Sequence, residues 1–236
     1  MNSARLGTRD ARKTAITVVA LITVLLVSVS LYWENLSKSP ERAKELEPIT
    51  VKEYEGKKLS SIDDFRENSI MGPQKVEITN YKLTIRNTNN ISKTYTYEQI
   101  INSFQKYNKV VTLDCVEGWG VTIFWEGILV RDVIGRNMTT PEAKVVIFRA
   151  YDGYTTSLPL DYIMNKNIIM AYKMNNVTLP QERGYPFQLV AESKWGYKWI
   201  KWITEIELSS NADYRGYWES RGYSNTADLD KGFFEE

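Results

Sequence analysis

Residues 110–135 read VVTLDCVEGWGVTIFWEGILVRDVIG, a stretch that sets the architecture and holds the only cysteine of the chain, Cys115. Val110, Val111, Thr112 and Leu113 are β-branched or apolar and predict a short buried strand. Gly118 and Gly120 flank Trp119 and predict a loop whose backbone can come close to another body. VTIFW (121–125) predicts a second strand, and GILVRDVIG (127–135) carries apolar residues at helical spacing. Cys115 therefore stands at a strand-to-loop transition, where a rigid scaffold commonly holds functional groups. The competing account of a lone cysteine is a small buried hydrophobe.

Outward from this stretch the pattern stays strand-rich. SSIDDF (60–65) suits the cap of a short helix, and VEITNYKLTI (76–85) alternates as a strand does. TYEQIINSFQKY (96–107) places Ile100, Ile101, Phe104 and Tyr107 on one side of a helix. Downstream, KVVIFRA (144–150) and IIMAYKM (168–174) predict strands, with a helix at LPLDYIM (158–164) between them. NNVTLP (175–180) turns the chain, and KWIKWITEIEL (198–208) predicts the last long strand. Strands outnumber helices and do not alternate with long ones, so the expected class is α+β with mixed or antiparallel sheet.

Composition narrows the chemistry. At 236 residues there is room for one ordinary domain with a stable core. Thirty Lys+Arg against 29 Asp+Glu leaves a net charge near zero, which argues against nucleic acid as the main partner. The chain has no histidine, which excludes histidine-ligated zinc, histidine-ligated haem and a histidine-based triad. One cysteine also excludes an intrachain disulfide and a cysteine-ligated iron–sulfur cluster.

The N-terminus carries a second signal. Residues 1–13 are basic, and residues 14–33 (TAITVVALITVLLVSVSLYW) are uncharged over a length that crosses a bilayer of about 30 Å as a helix. Tyr32 and Trp33 close it with interfacial aromatics. A single-pass membrane anchor is expected, followed by a charged linker over 34–58 and a domain over 59–236. Arg5, Arg9, Arg12 and Lys13 precede the span, against Lys38, Arg42 and Lys44 after it, so the balance leans towards an extracytoplasmic domain. Sequons at Asn35, Asn90, Asn137 and Asn176 fit that side.

Several phrases in order resemble the sulfite oxidase family of molybdopterin-dependent oxidoreductases. They are Cys115-Val116-Glu117-Gly118-Trp119, Trp125-Glu126-Gly127, AYDGY (150–154), residues 171–208 and YRGYWESRGYS (214–224). The likeness spans roughly residues 60–225 and implies a single sulfite oxidase-type domain. It implies that Cys115 supplies a thiolate to molybdenum, or tungsten, already held by a pterin dithiolene, a pairing that suits soft sulfur. Haem-carrying members of the family use a separate module, so electrons here would pass through an external partner, a membrane haem protein being one choice. Family members that are exported usually carry a twin-arginine signal; no Arg-Arg pair occurs, which leaves route or topology open.

The resemblance also nominates further residues. In KWGYKWIKW (194–202), the segment alone reads as solvated lysines on an amphipathic strand end. The resemblance instead favours cofactor binding by at least one, with Gly196 letting the cofactor approach the backbone while Lys198 and Lys201 meet its phosphate. Lys198 and Lys201 are three apart and cannot share a strand face without a loop or bulge. Arg183 is a cofactor candidate in PQERGYPFQL (180–189), weakened by Gln188, which cannot neutralise a phosphate. Arg66 and Asn68 fall in the first cofactor-contacting loop, or on ordinary surface. Asp152 and Tyr154 could line the metal mouth or simply form a turn. True sulfite oxidases place an arginine shortly after the metal-binding cysteine, whereas the first one here is Arg131. The Cys-Val-Glu-Gly-Trp form is instead similar to bacterial methionine-sulfoxide reductase catalytic subunits. Trp119 with Tyr217, Trp218 and Tyr223 could then form an apolar mouth for a small molecule or neutral sulfoxide, or belong to the core. The competing class is a non-catalytic binding or scaffold domain that kept the fold, which Gln188 and the missing export signal favour.

Overall fold

The long hairpin expected around Cys115 is the spine of the domain. The computed structural model describes residues 17–24, 27–28 and 41–236. Its strands are β1 (Glu53–Tyr54), β2 (Lys57–Lys58), β3 (Lys82–Arg86), β4 (Ser92–Thr96), β5 (Lys106–Asp114) and β6 (Gly120–Leu129). They continue with β7 (Val145–Ala150), β8 (Thr155–Pro159), β9 (Ile169–Met174), β10 (Val177–Thr178), β11 (Gln188–Val190) and β12 (Ile203–Ser209). Helices are short: α1 (Glu41–Leu46), α2 (Tyr97–Ser103), α3 (Val130–Ile134) and α4 (Leu160–Asn165).

One sheet runs β5-β6-β9, with β10 and β11 sharing the far side of β9, all antiparallel. The other has the order β4-β3-β12-β7-β8, and its β12–β3 pair is parallel. The expectation of α+β architecture with mixed sheet and short helices holds. β6 is central in its sheet and is buried at most positions, as a strand with partners on both edges and packing on both faces should be. Val121, Ile123 and Trp125 of β6 share one apolar cluster with Leu83 and Ile85 of β3 and Val146 and Phe148 of β7. The two sheets thus enclose a common core.

The residue-level reasons are local. At Glu126–Gly127 the β6–β9 register shifts, and a Cβ on Gly127 would lie 2.5 Å from the Met170 carbonyl oxygen. The two backbones meet there because no side chain intervenes. Thr96 caps α2: its hydroxyl accepts from Gln99 N–H at 3.2 Å while the Gln99 side chain accepts from Thr96 N–H at 2.8 Å. Asn175 and Asn176 adopt positive φ (43° and 68°) and make the tight turn between β9 and β10.

Four expectations are corrected. Residues 60–65 form a turn, not a helix, with Asp64 accepting from Ser61 N–H at 3.0 Å. In 76–85 the strand begins only at Lys82, after a 3-10 turn at Ile78–Asn80. The last strand begins at Ile203 rather than Lys198, because Gly196–Lys198 is a 3-10 turn and Trp202 takes a φ of 53°. The charged linker does not reach Lys58: Ala43 is fully buried and donates its N–H to Glu182 Oε1 at 2.9 Å, and Val51 N–H donates to the Asn175 carbonyl at 3.1 Å. Charged surface residues concealed these anchoring contacts.

Residues 17–24 and 27–28 are helical, with Val18, Val19, Leu21, Ile22, Val24 and Val27 exposed. Among the described residues no helix is long and apolar enough to cross a membrane. The expected anchor includes 14–16, 25–26 and 29–33, and the expected basic segment is 1–13; these lie outside the described residues.

Candidate functional site

Cys115 follows the last residue of β5, and the hairpin register closes at Asp114 opposite Gly120. The intervening turn is held by Cys115 N–H donating to the Trp119 carbonyl at 2.9 Å and Gly118 N–H donating to the Cys115 carbonyl at 3.0 Å. Gly118 has φ +82°, a conformation that side-chain-bearing residues rarely adopt. The sequence Cys-x-x-Gly-x thus fixes the thiol in a tight turn. Burial pushes the Cys115 thiol up, countered by the Glu117 backbone N–H, the Asn68 side chain and the Arg66 charge. A bound metal would reverse that balance and hold the sulfur as thiolate.

A cavity of about 470 Å³ opens beside this turn. Arg66, Asn68, Cys115, Trp119, Asp152, Tyr154, Arg183, Gly196 and Lys201 all line it. Seven of these come from four stretches outside the β5–β6 turn, so the fold gathers what the sequence scattered. Asn68 Nδ2 lies 3.9 Å from Cys115 Sγ. Its neighbours tie the 65–70 segment to the opposite wall: Arg183 Nη2 donates to the Phe65 carbonyl at 3.0 Å, and its guanidinium lies 4.9 Å from the Phe65 ring centroid. Burial lowers Arg183 to about 10, so it remains charged at neutral pH. Lys201 Nζ donates to Glu67 Oε1 at 2.6 Å and lies 4.4 Å from the Trp202 ring. Gln188 is buried and also lines the cavity.

Asp152 and Tyr154 do form the turn between β7 and β8, since Asp152 Oδ1 accepts from Tyr154 N–H at 3.0 Å. They also face the cavity, so the two descriptions hold together. The Tyr154 hydroxyl donates to the Tyr197 carbonyl at 2.6 Å. Tyr217, Trp218 and Tyr223 complete an aromatic wall; Tyr154 and Tyr217 rings are 5.7 Å apart. Gly196 makes its close approach to the protein itself: a Cβ there would lie 3.5 Å from Cys115 Cα and 3.2 Å from the Asp114 carbonyl.

Lys198 is a correction. It is absent from the cavity lining and fully buried, its Nζ 2.6 Å from Glu219 Oε1 and 2.9 Å from the Ser157 carbonyl. The 3-10 turn at Gly196–Lys198 rotates it away from Lys201, the separation the three-residue spacing requires. Nor are the lysines solvated, for Lys194 is buried and ion-paired with Asp228. Glu67 and Glu219, the carboxylates that neutralise Lys201 and Lys198, escaped sequence reasoning; they lie 134 and 21 residues away and carry no local signature.

The lining fits a molybdenum–pterin group. Among the described residues no cluster of three or more His, Cys, Asp or Glu could hold a metal ion. A metal here must bring most of its ligands, taking one sulfur from the protein, as a dithiolene-bound metal would. Arg66 and Arg183 supply positive charge for an anionic cofactor, with Lys201 already paired to Glu67, and the volume falls within the ordinary range for such sites, about 300–1,000 Å³.

Fold and lining together define a class: an α+β domain of two sheets with one thiol in the wall of a cationic, aromatic-lined cavity. The chain belongs to the oxidoreductase molybdopterin binding domain family, whose model matches residues 70–218. It is 30% identical over 129 residues to the uncharacterized oxidoreductase YuiH of Bacillus subtilis, covering 54% of this chain and 65% of that one. It is 29% identical over 126 residues to the protein-methionine-sulfoxide reductase catalytic subunit MsrP of Xanthomonas axonopodis pv. citri, covering 47% and 39%. The matched region thus spans less than two thirds of these relatives' lengths. The sulfane dehydrogenase SoxCD of Paracoccus pantotrophus shares the fold, with TM-score 0.57 and 19% identity over 66% of this chain and 43% of that one.

Proposed function

We propose that this chain is a membrane-anchored molybdopterin-dependent oxidoreductase that performs two-electron oxo transfer on a small molecule, a neutral sulfoxide being the favoured class. The observation that carries the reading is the Cys115 sulfur on the wall of a cavity that also presents Arg66, Arg183 and Lys201. Similarity to protein-methionine-sulfoxide reductase catalytic subunits supports the substrate class. When bound, the cofactor supplies the redox chemistry: a sulfoxide takes up two electrons and two protons and leaves as sulfide and water.

The chain's own residues do the rest. Cys115 is the metal ligand. Arg66, Asn68, Arg183, Gly196 and Lys201 hold and orient the cofactor, the two arginines offsetting its phosphate. Trp119, Asp152 and Tyr154 form the mouth, where Tyr154 serves through its ring because its hydroxyl is committed to Tyr197. The aromatic wall of Tyr217, Trp218 and Tyr223 excludes water and favours a neutral, partly apolar substrate. The absence of an arginine between Cys115 and Arg131 supports a neutral substrate over sulfite. Electrons arrive from an external partner, for which a membrane haem protein is suited by the anchor expected at 14–33. The Lys/Arg balance around 14–33 supports an extracytoplasmic domain.

The deciding experiment is elemental analysis of the full chain purified from its native host. Near-stoichiometric molybdenum or tungsten is expected, and Cys115→Ser should lose turnover by at least about a hundredfold, since the metal then lacks its protein sulfur even where the pterin keeps it bound. Folded wild-type protein without either metal would sink the enzyme and leave a binding or scaffold domain.

A further inference from the structure

We propose that Lys198 and Glu219 are a buried positioning pair that sets two walls of the cavity at once and so governs how tightly substrate is held. The substrate part rests on the oxo-transfer reading above. Lys198 is 0% and Glu219 1% exposed, with Nζ and Oε1 at 2.6 Å. Glu219 Oε1 also accepts from Thr156 Oγ1 at 2.5 Å, and Lys198 Nζ donates to the Ser157 carbonyl at 2.9 Å. One ion pair therefore ties three segments together: the turn at Gly196–Lys198, strand β8 and the 3-10 turn at Glu219–Arg221.

Neither residue lines the cavity, but their neighbours do. Two residues before Lys198, Gly196 abuts the thiol-bearing turn, its added Cβ falling 3.5 Å from Cys115 Cα. Just before Glu219 come Tyr217 and Trp218 of the aromatic wall. The same segment is seated flush on β8: Tyr217 N–H donates to the Thr155 carbonyl at 2.9 Å, and a Cβ on Gly216 would lie 2.3 Å from that carbonyl oxygen. Movement of the pair would move the Gly196 turn and the aromatic wall, while the sulfur keeps its place through the hydrogen bonds of the β5–β6 turn itself.

Stability alone does not account for the pair. A buried ion pair commonly returns no more than its desolvation costs, and apolar residues of similar volume often replace it without loss. Here Glu219 Oε2 is buried without a hydrogen-bond partner, a further cost. What the charges supply is direction, because they are satisfied in one geometry where apolar side chains would accept several.

The test compares the full wild-type chain with Lys198→Met, which leaves Glu219 uncompensated, and with Lys198→Met/Glu219→Leu, which does not. The single variant melts well below the wild type. The double variant melts with the wild type, yet its backbone amides in 214–224 exchange about tenfold faster while those of β5 and β6 are unchanged, as local opening allows. In metal-loaded protein, KM for methyl phenyl sulfoxide rises about tenfold with kcat within about threefold and metal content unchanged, the signature of lost binding rather than lost chemistry. Wild-type exchange in 214–224, or an unchanged KM, would make the pair mere filling and overturn the proposal. A double variant melting as low as the single one would overturn it too, since the pair would then be holding up the fold. Failure of the oxo-transfer reading shows separately, as wild-type protein without metal or turnover, and the exchange comparison then decides alone.

Discussion

At the residue scale, two glycines distinguish stability from function. Gly127 has no room: an added Cβ would meet backbone at 2.5 Å from the Met170 oxygen and 2.8 Å from Ala171 Cα, and backbone cannot swing aside as a flexible side chain can. Gly127→Ala is expected to cost about 1–3 kcal/mol, measured by denaturant unfolding. Gly196 is tighter than usual but not closed, with contacts of 3.2–3.5 Å to Asp114, Leu113 and Cys115. Gly196→Ala should stay within about 1 kcal/mol of wild type in stability. The accommodation falls on the Leu113 side chain and on the Asp114 carbonyl, which leads directly into Cys115, so kcat should drop by about tenfold through misplacement of the sulfur. Equal kcat in Gly196→Ala would show that the turn yields elsewhere. Cys115 and its turn were legible because the glycines, the tryptophan and the flanking apolar runs are contiguous in the chain. Lys198 was misassigned because its partner Glu219 is far along the sequence and its orientation depends on a 3-10 turn that the periodicity of KWIKWITEIEL conceals.

At the element scale, elements whose signals are local emerged with correct types: β5, β6, β7, β9, α2 and α4 each carry a period or cap within their own length. Those shaped by distant contacts did not, as with α1, whose Ala43 is pinned by Glu182. The capping box of α2 makes a direct test. Thr96→Ala removes the acceptor for Gln99 N–H and should cost about 1 kcal/mol in thermal unfolding. The first residue of that helix, Tyr97, stacks near Tyr185 and Phe187 with ring centroids 5.7 and 5.5 Å away. Burial pushes its hydroxyl up to about 12 from an ordinary value of 10, with Tyr185 adding to the effect. The folded state therefore holds the proton more tightly than the unfolded one. That contribution is fully present below pH 10 and is lost as pH rises through about 12. Tyr97→Phe, having no proton to lose, should show a shallower fall in Tm across that window; an unchanged slope would exclude Tyr97 as a contributor.

At the scale of the whole molecule, the common core of two sheets places a sulfur, three cations and an aromatic wall around one cavity. On the proposed oxo-transfer reading electrons come from an external partner, and an uncharged stretch at 14–33 that spans a bilayer would confine the search for that partner to two dimensions. The chain divides into the units Met1–Lys38 and Ser39–Glu236, so the anchor expected at 14–33 falls outside the unit that carries the cavity. Deleting residues 1–38 should release the protein from alkaline-washed membranes, which retain the full chain. Metal content and sulfoxide reduction driven by a reduced viologen should be unchanged, because the cavity lies entirely within 39–236. Turnover driven by the host's own membrane reductants should fall by about a hundredfold, the loss expected when a tethered encounter becomes a bimolecular one. A truncated chain that kept membrane-driven turnover would mean that the electron partner is soluble. A full chain washed free by alkali would mean that residues 14–33 do not span the bilayer at all.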